Sequence, residues 1–219
     1  MLMKPVSLIE TMSLQKNLGG FGLLSNKSFI IIHLQVEGFR IIFTNLHFPA
    51  GNHNREKRMA SLNLLLSQLT LVSHFRNFDF GFLLGDFNFR TNIDASILKK
   101  IIDDDVFDYE LIKKHDEFTQ FLNNSERNDV VFIDQENVLK NFKKLKEAEI
   151  TFPPSYKYER KANVYRLSDK HVPSYTDRIF SLINNKHIWI EQMNYTSCFY
   201  LHGSDHKPIY AQYEIRIAN

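Results

Sequence analysis

Phe78 to Arg90 reads FDFGFLLGDFNFR. Its first seven residues, to Leu84, are almost wholly apolar and stop at Gly85, the pattern of a short central strand buried on both faces. Asp86 and Asn88 follow at once, two residues apart. A chain leaving a buried strand delivers such side chains to the rim of the sheet, and alternation puts both on one face. A carboxylate beside a carboxamide can orient a water by accepting and donating together, and the carboxylate can take its proton. An Asp-containing turn would use the same residues without any chemistry.

Working outward from this strand, Arg55 to His74 carries Met59, Leu62, Leu65, Leu66 and Leu69 at spacings of three and four, one apolar stripe on a helix that packs on a sheet. Before it, Phe29–Leu34 and Phe39–Leu46 are β-branched and aromatic runs separated by Gly38, which predicts a hairpin. After the strand the composition turns charged, with short helices predicted around Ile97–Ile102, Glu110–Lys114, Glu117–Leu122 and Gln135–Lys146. Lys140, Lys143, Lys144 and Lys146 would form the wet face of the last of these. Thr151 to Val172, rich in Pro, Tyr and Ser, reads as an ordered loop. Phe180–Ile183, Met193–Phe199 and Pro208–Ile215 read as three further strands. Two layers of sheet with helices packed outside, an α+β sandwich in one domain over residues 1–219, is the architecture this order predicts.

Composition narrows the chemistry. The 219 residues are 43% hydrophobic and 24% charged, enough for one sizeable core, and the net charge of +2 is far from the basic balance of a general nucleic-acid binder. Cys198 is the single cysteine, which excludes an intramolecular disulfide and a thiolate zinc site and suits a reducing, intracellular setting. The opening residues MLMKPVSLIETM carry neither a signal-peptide pattern nor a run long enough to span a membrane.

Further polar residues gather at predicted strand ends. His47 closes FTNLHF. Asp177 and Arg178 sit in VPSYTDRIF, where the carboxylate could hold an imidazole in one tautomer or the two could form a salt bridge with neighbours. Asp205 and His206 precede the last strand in GSDHKPIY: the carboxylate suits a hard cation such as magnesium, the imidazole a phosphoryl oxygen. Lys157 in FPPSYKYER and Lys27 in LLSNKS are basic groups suited to ligand phosphates, although isolated lysines are usually solvated. Asp, Asn and His from separated segments, with no thiol or serine triad, suit metal-assisted phosphoester hydrolysis.

The order and wording of LLSNKSFIII, TNLHFPAG, LLGDFNFR, FPPSYKYE, VPSYTDRIF and GSDHKPIYA resemble the inositol polyphosphate 5-phosphatases, within the deoxyribonuclease-like endonuclease/exonuclease/phosphatase superfamily. The resemblance implies a magnesium-dependent enzyme that removes the 5-phosphate from phosphoinositides or soluble inositol polyphosphates. Asp86 would activate water with Asn88, and His206, oriented by Asp177, would stabilise the phosphoryl group. Asp205 would serve the metal, and His47 would touch the scissile phosphate. Asn26, Lys27, Lys157, Lys170 and Arg178 would bind ring phosphates or steady neighbouring carboxylates. The family's first strands, with an Asn and a Glu metal ligand, have no counterpart in this sequence, so the sandwich is expected to lack them and Glu10 matches no motif. Tyr175, Thr176, His171 and Ser28 stand where the family has Trp, Cys, Arg and Gly. A catalytically silent relative that binds inositol phosphates or a protein is the second expectation, and a nuclease the third. The resemblance also implies a cytoplasmic protein that meets membranes peripherally and takes no nucleic acid.

Overall fold

A computed structural model describes residues 7–15, 27–71, 77–94, 96–97, 109–124, 145–168 and 172–218. Among the described residues, eight strands form two sheets. Six of them are β1 (Ser7–Gln15), β2 (Ser28–Val36), β3 (Phe39–His47), β4 (Phe80–Asp86), β5 (Leu145–Lys146) and β6 (Asp177–Ile183), and these make one sheet in the order β1-β2-β3-β4-β6-β5. The other two, β7 (Ile188–Ser197) and β8 (Ile209–Ile217), pair antiparallel as a second sheet. The described residues include the helices α1 (Arg55–Leu71), α2 (Tyr109–Lys114) and α3 (Glu117–Asn124) and a 3-10 turn at Asn52–Asn54.

The predicted hairpin forms with Val36 opposite Phe39, and Glu37 and Gly38 both take positive φ, 53° and 91°, as a two-residue primed turn requires. The link from β3 through α1 to β4 makes those two strands parallel, because a helical crossover returns the chain in its starting direction. Leu62, Leu65, Leu66 and Leu69 of α1 cover one face of the large sheet with Ile42, Leu46 and Leu83. On the opposite face Ile41, Phe80 and Phe82 pack against Ile188, Ile190 and Tyr213 of the small sheet. The large sheet is therefore buried on both sides at its centre, which explains why Phe80–Leu84 reads as a continuous apolar run.

Two expectations change. Leu145–Lys146 pairs with β6 and is no part of a helix, while residues 135–144 of that expected helix lie outside the described residues. The strand β1 was not foreseen. Its alternation is interrupted by a bulge between Leu8 and Glu10, which blurs the period of two that marks a strand. Most of the helix expected at 97–102 also falls outside the described residues.

Candidate active site

Register builds the site. His47 lies opposite Asp86 across β3 and β4, and Asp86 lies opposite Asp177 across β4 and β6, so three strands bring one imidazole and two carboxylates into a single row on one face. His47 Nε2 stands 3.4 Å from Asp86 Oδ2 and is also in hydrogen-bond contact with Lys27 Nζ. Burial pulls the Lys27 ammonium below its usual value and the nearby Arg90 adds to this, against the attraction of Asp86.

Gly85 and Asn88 shape the exit from β4. Gly85 has φ 132°, and a Cβ there would meet the Leu46 carbonyl oxygen at 2.1 Å, so the tight approach of β3 to β4 beside the row requires glycine. Asn88, at φ 57°, folds back over Asp86: its amide nitrogen Nδ2 donates to Asp86 Oδ2 at 2.7 Å and to the Phe48 carbonyl at 3.0 Å. Its backbone N–H donates to Asp86 Oδ1 at 2.9 Å. Arg90 fixes which end of the amide does this, because its Nη2 donates to Asn88 Oδ1 at 2.7 Å while its guanidinium lies 4.5 Å from the Tyr156 ring.

The second half of the row is a set of hydrogen-bonding neighbours around Asp177. Its Oδ2 accepts from Ser155 Oγ at 2.6 Å and Thr176 Oγ1 at 2.9 Å, and lies 2.8 Å from His206 Nδ1. Burial depresses the His206 imidazolium, but the hydrogen bond and charge of Asp177, with Asp86 and Asp205, outweigh it and raise its titration above the ordinary value. Tyr156 lies against the same imidazole, with ring centroids 4.5 Å apart. Lys157 Nζ stands 3.4 Å from Asp205 Oδ2. Against the opposing effect of burial, a backbone hydrogen bond, His206 and Lys157 hold the Asp205 carboxyl below its usual range.

Asp86, Asp177 and His206 each offer one ligand atom within 4.8 Å of the others. Two carboxylates at one spot suit a hard, oxygen-seeking cation that completes its shell with water and phosphate oxygens. His206 Nδ1 is turned to Asp177, so this nitrogen serves the hydrogen bond, and the oxygens of Asp86 and Asp177 are the donors that fit such an ion. Asp205, expected at the metal, lies outside this group and faces Lys157.

Of the two roles expected of Arg178, the structure shows the second, steadying neighbouring carboxylates. Arg178 is buried, with a relative exposure of 2%, and its Nη1 donates to Asp116 at 2.7 Å while its Nε donates to Glu147 at 3.0 Å. Strand alternation turns it away from the row that Asp177 occupies, so it steadies carboxylates and does not meet a ring phosphate. Asn26 and Lys170, expected as phosphate contacts, and His171 lie outside the described residues. Sequence reasoning assigned no role to Ser155, Tyr156, Thr176 or Arg90. Each stands within two residues of an assigned one, so adjacency to Lys157, Asp177 and Asn88 was the available signal.

Residues 3–212 match the family described as endonuclease/exonuclease/phosphatase family 2. Inositol polyphosphate 5-phosphatase K of Mus musculus is 25% identical over an alignment that takes in 97% of this chain and 46% of that protein. Inositol-1,4,5-trisphosphate 5-phosphatase 1 of Schizosaccharomyces pombe is 29% identical, over 92% of this chain and 17% of its own. Among solved structures, the inositol polyphosphate 5-phosphatase domain of a synaptojanin, in complex with inositol (1,4)-bisphosphate and calcium ion, superposes with a TM-score of 0.73 at 27% identity, covering 98% of this chain and 56% of that one. A Cimex nitrophorin in its ferrous NO complex has a TM-score of 0.66 at 20% identity, covering 95% of this chain and 64% of its own, and shares the fold alone. The chain thus spans less than half the length of these curated relatives. The likeness to the synaptojanin domain agrees with the two-layer, deoxyribonuclease-like α+β architecture.

Proposed function

The chain belongs to the endonuclease/exonuclease/phosphatase family 2, and from that premise we propose that it hydrolyses the 5-phosphate monoester of inositol polyphosphates or phosphoinositide headgroups with magnesium. The convergence of Asp86, Asp177 and His206 within 4.8 Å carries this reading. The curated relatives support the substrate class by their names, and the synaptojanin domain supports it by the inositol bisphosphate and the cation it holds.

Asp86, held in place by the Asn88 amide and backbone N–H, accepts a proton from the attacking water. His206, held by Asp177, meets the charge that gathers on the non-bridging oxygens, and its raised titration favours the imidazolium form. His47 at the end of β3 and Lys27 just before β2 face the same phosphoryl group, while Lys157, beside Asp205, is the basic group for a neighbouring ring phosphate. A magnesium ion held by the Asp86 and Asp177 oxygens would supply Lewis-acid stabilisation of the leaving ring oxygen. Water adds to phosphorus, the ester P–O bond breaks, and the ring leaves with its oxygen, which takes up a proton from solvent, with no covalent intermediate on the protein.

A binding protein without turnover is the second reading. It draws on Asp177 Oδ2 being already engaged by Ser155, Thr176 and His206, and on both Asp86 oxygens accepting from Asn88. Phosphate release from a short-chain phosphatidylinositol bisphosphate separates the two. Magnesium-dependent release that a chelator and His206→Ala both abolish is expected, whereas folded protein that binds the headgroup and releases nothing would establish the second reading.

A further inference from the structure

Asp86 is held by groups that are themselves held, and the contacts run inward to helix α1. The Asn88 amide that donates to Asp86 Oδ2 accepts at its own oxygen from Arg90 Nη2. Glu117 secures Arg90 in turn: the Arg90 N–H donates to Glu117 Oε2 at 3.1 Å, and the Glu117 N–H donates to the Arg90 carbonyl at 2.9 Å. The same Oε2 accepts from Arg58 Nη2 of α1 at 2.6 Å. Arg58 is fully buried, and its Nη1 donates to the carbonyls of Gly51 at 2.7 Å and Pro49 at 3.3 Å.

These bonds close a ring. Pro49 and Gly51 belong to the segment that continues from His47 at the end of β3. Phe48 of that segment donates its N–H to the Asp86 carbonyl at 2.9 Å and accepts from Asn88 Nδ2. Glu117 opens α3, where the N–H groups of a first helical turn favour a carboxylate. One guanidinium therefore fixes the segment after β3 directly and the segment after β4 through a single carboxylate oxygen. The planar fork of arginine suits this, because it aims donors along set lines at two partners together. Its guanidinium also lies 5.6 Å from the ring centre of Phe89, between Asn88 and Arg90 in the second segment.

A buried ion pair is weak evidence of stabilisation, since apolar residues of similar volume often serve as well. Placement is a use that apolar residues cannot supply. On the reading that Asp86 is the base of the hydrolysis, we propose that Arg58 and Glu117 are a positioning pair for the reaction. Through Arg90 they hold the Asn88 amide in the one orientation that donates to Asp86, and through Pro49 and Gly51 they hold the segment after His47 in step with it. The gain is in rate, because a displacement of about 1 Å at a reacting group can cost about 10²-fold.

Replacing Arg58 alone would strand the Glu117 carboxylate and confuse folding with placement. The test therefore pairs Arg58→Met with Glu117→Leu, which removes both charges, and sets beside it Glu117→Gln, which keeps an oxygen for both donors. Hydrogen exchange of the Asn88 side-chain amide, followed by nuclear magnetic resonance, reads placement without any turnover. In the double variant that amide should exchange at least about tenfold faster, while the backbone amides of Leu83 and Phe180 in the middle of β4 and β6 exchange as before. Phosphate release from the same short-chain bisphosphate should fall about 10–100-fold in kcat. Glu117→Gln should keep both readouts close to those of the parent chain. Unchanged exchange at Asn88 in the double variant would overturn the proposal, and so would faster exchange with kcat undiminished. A parent chain that releases no phosphate while Asn88 still responds to the double substitution would sink the hydrolysis reading and leave the pair as the anchor of Asn88.

Discussion

Asp116, Glu147 and Arg178 form one ion cluster in this molecule, and Asp86, Asp177 and His206 form another. Both place two carboxylates around one cationic group, yet they are built for opposite ends. In the first, a buried guanidinium divides its N–H donors between the two acids, and Tyr195 adds a hydroxyl that donates to Glu147 at 2.9 Å. Burial works against the Arg178 charge, but Glu147 and Asp116 overcome this and hold it protonated more firmly than usual. That cluster joins β6 to the start of α3 and the end of β5, and it is closed. In the second, only one nitrogen of His206 is committed, and the carboxylates sit partly exposed at the ends of strands. Negative charge is left over and faces outward. The difference teaches that an acid pair is read as structural or chemical by how completely its partners use it, and by whether what remains unmatched can be reached.

Breaking the closed cluster should cost the most. Arg178→Met strands two buried carboxylates, and we expect a loss of about 3–5 kcal/mol of stability, measured by urea denaturation. A loss under about 1 kcal/mol would mean that water reaches Asp116 and Glu147 and the contrast is unfounded. The open cluster should answer in rate instead. Asp86→Asn relieves crowded negative charge, so the melting temperature should hold or rise while phosphate release falls about 10²–10³-fold, in the range of a lost general base. Equal damage to both quantities would place Asp86 among the structural acids.

A finer test uses pH. His206 titrates above the 6.5 of an unburied imidazole in this fold. Its folded value is raised, so the His206–Asp177 interaction contributes its full stability below about pH 6.5, the unfolded value, and loses it as pH rises through the raised folded value. Asp177→Asn removes the chief partner that raises it, and the alkaline limb of both stability and activity should move to lower pH. Nuclear magnetic resonance titration of the His206 ring would record the shift, and an unmoved ring would remove Asp177 from this role. The smallest effect should come from Tyr195→Phe, which takes one donor from Glu147 and should cost about 1–1.5 kcal/mol without altering catalysis. Burial and Glu147 keep that phenol protonated, so its contribution should be constant across the working pH range.

The two clusters were not equally legible in the sequence. Asp86, Asn88, Asp177 and His206 announce themselves because each follows or precedes an apolar run, and a strand end is a local signal. The hairpin and α1 were legible for the same reason, since periods of two and 3.6 are visible within about a dozen residues. The closed cluster was not. Asp116 sits between two short helices and Glu147 after a lysine-rich stretch that resembles a solvated helix face, and only the pairing of β5 with β6 brings Glu147 to Arg178. Arg178 was left between ring phosphates and neighbouring carboxylates, and only its place on the strand decides, since alternation sends it to the side opposite Asp177. Ser155 and Thr176 were similarly hidden, because a hydroxyl carries no pattern until the carboxylate it serves has been placed.

The row of His47, Asp86 and Asp177 across three strands has one more implication. Neighbouring strands lie about 4.8 Å apart whatever their side chains, because main-chain hydrogen bonds fix the interval. The separation of the reacting groups is therefore a lattice constant of the sheet. Substitution can change what stands at each node, but the nodes themselves move only by a whole strand or a whole pleat. Variation among proteins that share this scaffold is then expected to be discrete, with new residues at old coordinates, and graded adjustment falls to the loops that lie over them.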